Sequence, residues 1–129
     1  MPRKCCLTAI TPKDVPLLSA ALKGAGERPV AAVARLNVGE LSKVKPDVLI
    51  VDIDNLQSDS FEMVRQIRFV LPDCTLIVFT DSKKLEWGRK CHLAGANGVL
   101  SKESNESQLA SGLYHAIESG CFTDPRIAA

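Results

Sequence analysis

Apolar residues along this chain fall into short unbroken runs, and the stretches between them carry helical spacing. The clearest run is Val48-Leu49-Ile50-Val51, bounded by Lys45-Pro46-Asp47 before it and by Asp52 and Asp54 after it. A run this short, β-rich and unbroken, reads as a strand buried on both faces, as in a parallel sheet. Similar runs predict strands over Lys4–Ile10, Val30–Ala34, Cys74–Thr80 and Asn97–Ser101. Between them, Leu17, Leu18, Ala21, Leu22 and Ala25 share one helical face, and so do Met63, Val64, Ile67, Val70 and Leu71. Thr11-Pro12-Lys13-Asp14, Asp59 with Glu62, and Asn105 with Gln108 are helix-start signals. Gly24 with Gly26, Pro72, Ala94-Gly95 and Gly120 are stops. Shorter helices are predicted over Asn37–Val44 and Lys84–Leu93, and a last one places Leu109, Leu113, Ala116 and Ile117 inward. Nothing periodic follows that helix.

Strand and helix therefore alternate five times. Such alternation favours an α/β, flavodoxin-like (βα)5 fold: a five-stranded parallel sheet of order 2-1-3-4-5 with helices on both faces. The 129 residues fit one domain, and no repeat or internal boundary interrupts them. A net charge of +1 with scattered basic residues provides no field for nucleic acid or an anionic membrane. No run approaches the length of a membrane span, and the apolar part of the N-terminus is too short for a signal peptide. The five cysteines show no CxxC spacing and no ligand motif with His92 or His115. They read as buried, reduced thiols of a cytoplasmic protein, not as a zinc site.

In a parallel sheet the strand ends share one edge, and ligands bind beyond the carboxyl ends. Strand three ends at Asp52, strand four at Thr80 and strand five at Lys102. Each residue has an ordinary reading: a turn-starting Asp, a β-forming Thr, a solvated Lys. Their conjunction at three successive strand ends is what suggests chemistry. A carboxylate, a hydroxyl and an ammonium suit phosphoryl transfer to the carboxylate. Asp52 is then the nucleophile, and Lys102 with a divalent cation neutralises the phosphoryl oxygens. Thr80 donates a hydrogen bond to one of them, and the added charge pulls the strand-four loop toward Asp52.

Three segments together resemble a response-regulator receiver domain of two-component signalling. They are Lys45–Ile53 with Asp52, Leu76–Thr80, and Ala94–Lys102. The tail from Lys102-Glu103 through Gln108-Leu109 to Gly120 is most similar to the NarL/LuxR-type subgroup. The resemblance covers nearly the whole chain. It implies that Asp52 is phosphorylated by a histidine kinase or phosphotransfer protein, that Thr80 is the switch hydroxyl, and that Lys102 contacts the phosphate. It implies Mg²⁺ held by Asp52, the backbone carbonyl of Asp54, and Asp14 if one acid of the family's pair is kept. It also implies a regulatory domain in a cytoplasmic pathway, often of transcription regulation, that switches an interaction surface and can form a symmetric dimer.

Four positions depart from the family. The acidic pair after strand one becomes Lys13-Asp14 in one alignment and Thr11-Pro12 in the other, so Mg²⁺ binding is weak or absent. Asp54–Ser60 replaces the Met-Pro-Gly-type loop, Val99 replaces the aromatic switch residue, and Glu103 replaces the proline after the lysine. Residues 1–129 then form a single receiver domain with no effector domain after Phe122–Ala129, either a stand-alone receiver or a fragment cut before an effector. The alternative is a pseudo-receiver, the same fold kept as a phosphorylation-independent interaction module. A third reading takes Asp52-Ile53-Asp54 as the DxD of a phosphatase. Trp87, His92 and Tyr114 on the last two helices are either packing residues or exposed anchors for a partner.

Overall fold

Neighbouring residues of a strand point to opposite sides of its sheet, so a sheet covered on both sides needs apolar residues at every position. That requirement organises this molecule. A computed structural model describes residues 3–33, 38–56, 59–82 and 84–128. The elements are β1 (Cys5–Thr8), α1 (Val15–Gly24), β2 (Pro29–Val33), α2 (Val38–Val44), β3 (Val48–Asp52), α3 (Ser60–Val70), β4 (Thr75–Thr80), α4 (Leu85–Ala94), β5 (Gly98–Ser101), α5 (Glu106–Ser119), β6 (Phe122–Thr123) and α6 (Pro125–Ala128). The strand order is β2-β1-β3-β4-β5-β6, and every neighbouring pair is parallel. The first five strands therefore stand in the expected 2-1-3-4-5 order. Ala34, Asn37, Gln57 and Ser58, on which the predicted second strand, second helix and loop partly fall, lie outside the described residues.

The alternation along the strands divides the core in two. Leu49, Val51, Leu76, Val78 and Val99 face one side, against Val64 and Ile67 of α3 and Cys91 and Ala94 of α4. Val48, Ile50, Ile77, Phe79 and Leu100 face the other, against Leu18 and Leu22 of α1 and Leu109 and Leu113 of α5. All of these side chains are buried. Val99, at the family's aromatic position, is thus a core residue.

The predicted caps of α3 and α5 form. The Asp59 carboxylate accepts from Phe61 N at 3.0 Å and Glu62 N at 3.1 Å. Asn105 and Gln108 make a reciprocal capping box, and Gly120 closes α5 at φ +80°. The start of α1 differs from expectation. Pro12–Asp14 forms a 3-10 turn leading into α1, and the Thr11 side chain does not cap it. The Thr11 hydroxyl oxygen instead accepts from the amide of Asn55 at 3.0 Å.

The structure also adds an element past α5. Phe122 N donates to Asn97 O and Asp124 N to Val99 O, both at 2.9 Å, which lays β6 beside β5. Gly112 makes room for it, because a Cβ there would lie 2.6 Å from the Phe122 ring. His92 is part of the same join: its Nδ1 donates to Ala96 O at 3.0 Å, leaving Nε2 to accept from the Thr123 hydroxyl at 2.6 Å. His92 is therefore a packing residue. Trp87 packs edge-on against Phe61 with ring centroids 4.7 Å apart, whereas Tyr114 is exposed. Cys5, Cys6, Cys74 and Cys91 are buried free thiols, and Cys121 is an exposed one. Among the described residues, no helix is long and apolar enough to cross a membrane.

Candidate functional site

Parallel pairing places the ends of β3, β4 and β5 at one edge, with Asp52 beside Phe79 and Thr80 beside Ser101 in register. Lys102 N donates to Thr80 O at 2.9 Å, which fixes where the chain leaves β5. The Lys102 Nζ lies over the Phe79 ring, 5.6 Å from its centroid. Asp52, Thr80 and Lys102 thus lie at the same edge of the sheet. The ammonium of Lys102 lies 2.7 Å from Asp52 Oδ2.

Asp52 is completely buried. Its Oδ1 accepts from Asp54 N at 3.0 Å, and its Oδ2 accepts from Asn55 Nδ2 at 3.2 Å as well as pairing with Lys102. Burial pushes the Asp52 carboxyl above its ordinary range, against the opposing pull of Lys102 and the Asp54 amide. Burial alone would lower Lys102, but its bonds to Asp52 and Asp54 prevail and hold it above the ordinary lysine value. The charge of the Asp52 carboxylate is therefore expensive to keep in so dry a place, and the Lys102 ammonium is what offsets it.

Two residues enter the site in a way that sequence reasoning missed. Residues Ile53–Asn55 form a 3-10 turn directly after β3. The turn brings the Asp54 carboxylate over the site, where its Oδ1 accepts the Thr80 hydroxyl at 2.9 Å and its Oδ2 accepts Asp81 N at 2.7 Å. Oδ2 also lies 3.1 Å from Lys102 Nζ. Asn55 reaches the other way. Its Nδ2 donates to Ala9 O at 2.7 Å, to Thr11 Oγ1 and to Asp52 Oδ2. Ala9 adopts the left-handed conformation, φ +59°, a strained choice for a residue with a Cβ. Such strain concentrates at functional edges. Apart from the Asn55–Asp52 bond, these contacts span 26 to 48 residues of sequence, so no local signal announces them.

The donor set does not fit a divalent cation as it stands. Among the described residues, no three Asp, Glu, His or Cys side chains gather as a metal site requires. Asp14 lies in the 3-10 turn before α1 and does not join Asp52 and Asp54 in such a group. The oxygens of Ala9, Thr11 and Asp52 that converge near the end of β1 are met by the Asn55 amide, a donor in the place where a cation would need acceptors.

Comparison with known proteins places this geometry. No protein-family model matches the chain. A LuxR-family two-component response regulator from Aurantimonas sp. SI85-9A1 superposes with a TM-score of 0.80 at 22% identity, over 99% of this chain and 94% of that one. The isolated receiver domain of RcsB from Salmonella enterica serovar Typhimurium, solved with a phosphomimetic, gives 0.80 at 17% identity over 99% and 97%. The chain has the fold of a response-regulator receiver domain. In sequence, this receiver fold is 26% identical over 88 residues to the methanol utilization control regulatory protein MoxX of Paracoccus denitrificans, covering 67% of this chain and 40% of that protein. It is 24% identical over 122 residues to the DNA-binding transcriptional activator EvgA of Escherichia coli, covering 90% and 60%. The chain thus spans about half the length of the curated relatives it matches.

Proposed function

We propose that this chain is the receiver domain of a two-component response regulator, phosphorylated on Asp52. The observation that carries this is the Asp52 carboxylate at the end of β3, 2.7 Å from the Lys102 ammonium, on a receiver fold. An Asp52 oxygen attacks the phosphorus of a phosphohistidine on a histidine kinase or phosphotransfer protein. The P–O bond forms as the P–N bond breaks, and the imidazole leaves with the electron pair and takes up a proton. Lys102 compensates the charge gathered on the phosphoryl oxygens.

The domain is regulatory and turns over no separate substrate. Its product is an interaction surface near Thr80 and the loop after β4, which a cytoplasmic partner or a second copy of the chain reads. Residues 1–129 make up one such module. Incubation with acetyl phosphate, followed by intact mass measurement, tests the assignment. Wild type gains one phosphoryl group and Asp52→Asn gains none; equal labelling of the two removes Asp52 from its role.

A second reading, the phosphorylation-independent interaction module, has one observation in its favour. The polar groups of the pocket are already satisfied by Asp54 and Asn55. It requires partner binding to be unchanged by Asp52→Ala, measured by titration calorimetry with the captured partner.

A further inference from the structure

The groups that could receive an anion attached to Asp52 are the Lys102 ammonium, the Thr80 hydroxyl and the Asp81 amide. All three already hold one carboxylate, that of Asp54, at 3.1, 2.9 and 2.7 Å. They come from the end of β5, the end of β4 and the loop beyond it, so their convergence on a single side chain is a tertiary arrangement and not a local turn. Asp54 and Asp52 also share the same ammonium. With the next residue, Asn55, bonded to its Oδ2, Asp52 is sealed from solvent.

We propose that Asp54 is an internal occupant of the phosphoryl pocket: its carboxylate takes the donors of Lys102, Thr80 and Asp81, and must be expelled before Asp52 can be phosphorylated. This rests on the phosphoacceptor reading above. A phosphoryl group brings nearly two negative charges and three strong acceptor oxygens. It cannot share three donors with a carboxylate in a site of low dielectric, where like charges repel strongly. One anion has to leave. Asp54 is the one that can, since its side chain retains 26% exposure on a short 3-10 turn, while a phosphoryl group would be covalently fixed.

Two consequences follow for the switch. The Thr80 hydroxyl is already drawn toward the site without any phosphate, so phosphorylation exchanges its partner and moves it little. The larger displacement falls on the Ile53–Asn55 turn, whose Asp54 swings outward.

The test compares acetyl phosphate labelling rates of wild type, Asp54→Ala, Asp54→Asn and Asp52→Asn/Asp54→Ala in the full chain, with folding checked by circular dichroism. Losing hydrogen bonds to charged groups supports a gain of about tenfold in rate for Asp54→Ala. Asp54→Asn, which can still accept from Thr80 but no longer pairs with Lys102, is expected to fall between that variant and wild type. The Asp52→Asn/Asp54→Ala double variant is expected to stay unlabelled. If Asp54→Ala fails to fold, Asp54→Asn decides. Equal rates in wild type and the folded Asp54 variants overturn the proposal and leave Asp52 as phosphoacceptor. No labelling in any folded variant overturns the phosphoacceptor reading, and this proposal with it.

Discussion

Each end of the parallel sheet holds a cation among acceptors, and the two are built differently. At the carboxyl end, Lys102 meets two side-chain carboxylates. At the opposite end, Arg68 of α3 meets main-chain carbonyls. Its Nε and Nη2 donate to Gly95 O at 3.0 and 2.8 Å, and its Nη1 to Leu71, Pro72 and Cys74 O at 2.9, 3.1 and 2.7 Å. Nη2 also reaches Asn97 Oδ1 at 2.6 Å. Leu71 and Gly95 are the C-caps of α3 and α4, and Pro72 and Cys74 follow in the turn before β4. A carbonyl cannot ionise, leave or be modified, so Arg68 is a permanent clamp. Carboxylates can be protonated, phosphorylated or exchanged, so the partners of Lys102 are replaceable. Burial and charge are alike enough at the two ends; exchangeability of the acceptor distinguishes a candidate site from a joint.

The largest effect is expected at the joint. Arg68→Ala strands several carbonyls at once and is expected to destabilise the fold by about 3 kcal/mol, measured by urea denaturation. Arg68→Lys should recover less than half of this, because a point charge cannot address acceptors on both sides of a planar fork. Full recovery by lysine would mean that Arg68 supplies only charge, and the contrast between the two ends would lose its basis.

Next comes the exchangeable end. Lys102→Met leaves the buried Asp52 carboxylate without its cation, and a loss of about 2 kcal/mol is expected by denaturation; Asp52 can soften it by taking a proton. Here a second substitution should repair the first. Lys102→Met/Asp52→Asn is expected to regain most of the lost stability, since the uncompensated charge is gone. No comparable single change can repair Arg68→Ala, because all of its partners except the Asn97 side chain are backbone carbonyls. A double variant no more stable than Lys102→Met would show that the pair is not the coupled unit its geometry suggests.

How far the two ends could be read from the sequence differs for the same physical reason. The run Val48–Val51 and its counterparts state the strands directly, because a doubly covered sheet leaves no polar positions to confuse the pattern. Strand ends of a parallel sheet fall on one edge by topology alone, so Asp52, Thr80 and Lys102 could be grouped without knowing a single rotamer. The caps at Asp59 and Asn105 are local and were equally plain. Arg68 was not legible: one arginine on a helix of ordinary amphipathic spacing looks solvated until the carbonyls that surround it are known. Asp54 was legible as an acid at the right edge, but its bonds to Thr80 and Asp81 depend on the turn that follows β3. The two residues of β6 are too few to carry any periodicity, and only the pairing with β5 defines them.

A smaller effect appears with pH. Lys102 is held above its ordinary value of 10.5 in the fold. The stability it contributes is fully present below 10.5, the unfolded value, and is lost as pH rises through the folded value. The gap in stability between wild type and Lys102→Met should therefore narrow in strong alkali. Cys5, at about 11, and Cys74 and Cys91, at about 12, are raised from 9.0 by burial. Their contribution falls away from pH 9 upward in both proteins and cancels in the difference. A gap that stays constant beyond the titration of lysine would mean that Lys102 does not serve through its charge.

The smallest effect is expected where a cation has neither kind of burial. Arg65 of α3 pairs with Glu62 one turn away at 3.2 Å, and both side chains are more than half exposed. Water screens this pair, and holding two long side chains in one geometry offsets much of the attraction. Arg65→Ala is expected to change stability by less than about 0.5 kcal/mol, with most of that removed by added salt. Arg65 and Arg68 lie on the same helix, three residues apart, so composition and helix propensity are held constant between their alanine variants. If Arg65→Ala cost as much as Arg68→Ala, the shared cause would be the helix itself. A difference of several-fold assigns the cost instead to what each guanidinium touches, and that is the property by which the two ends of the sheet were told apart.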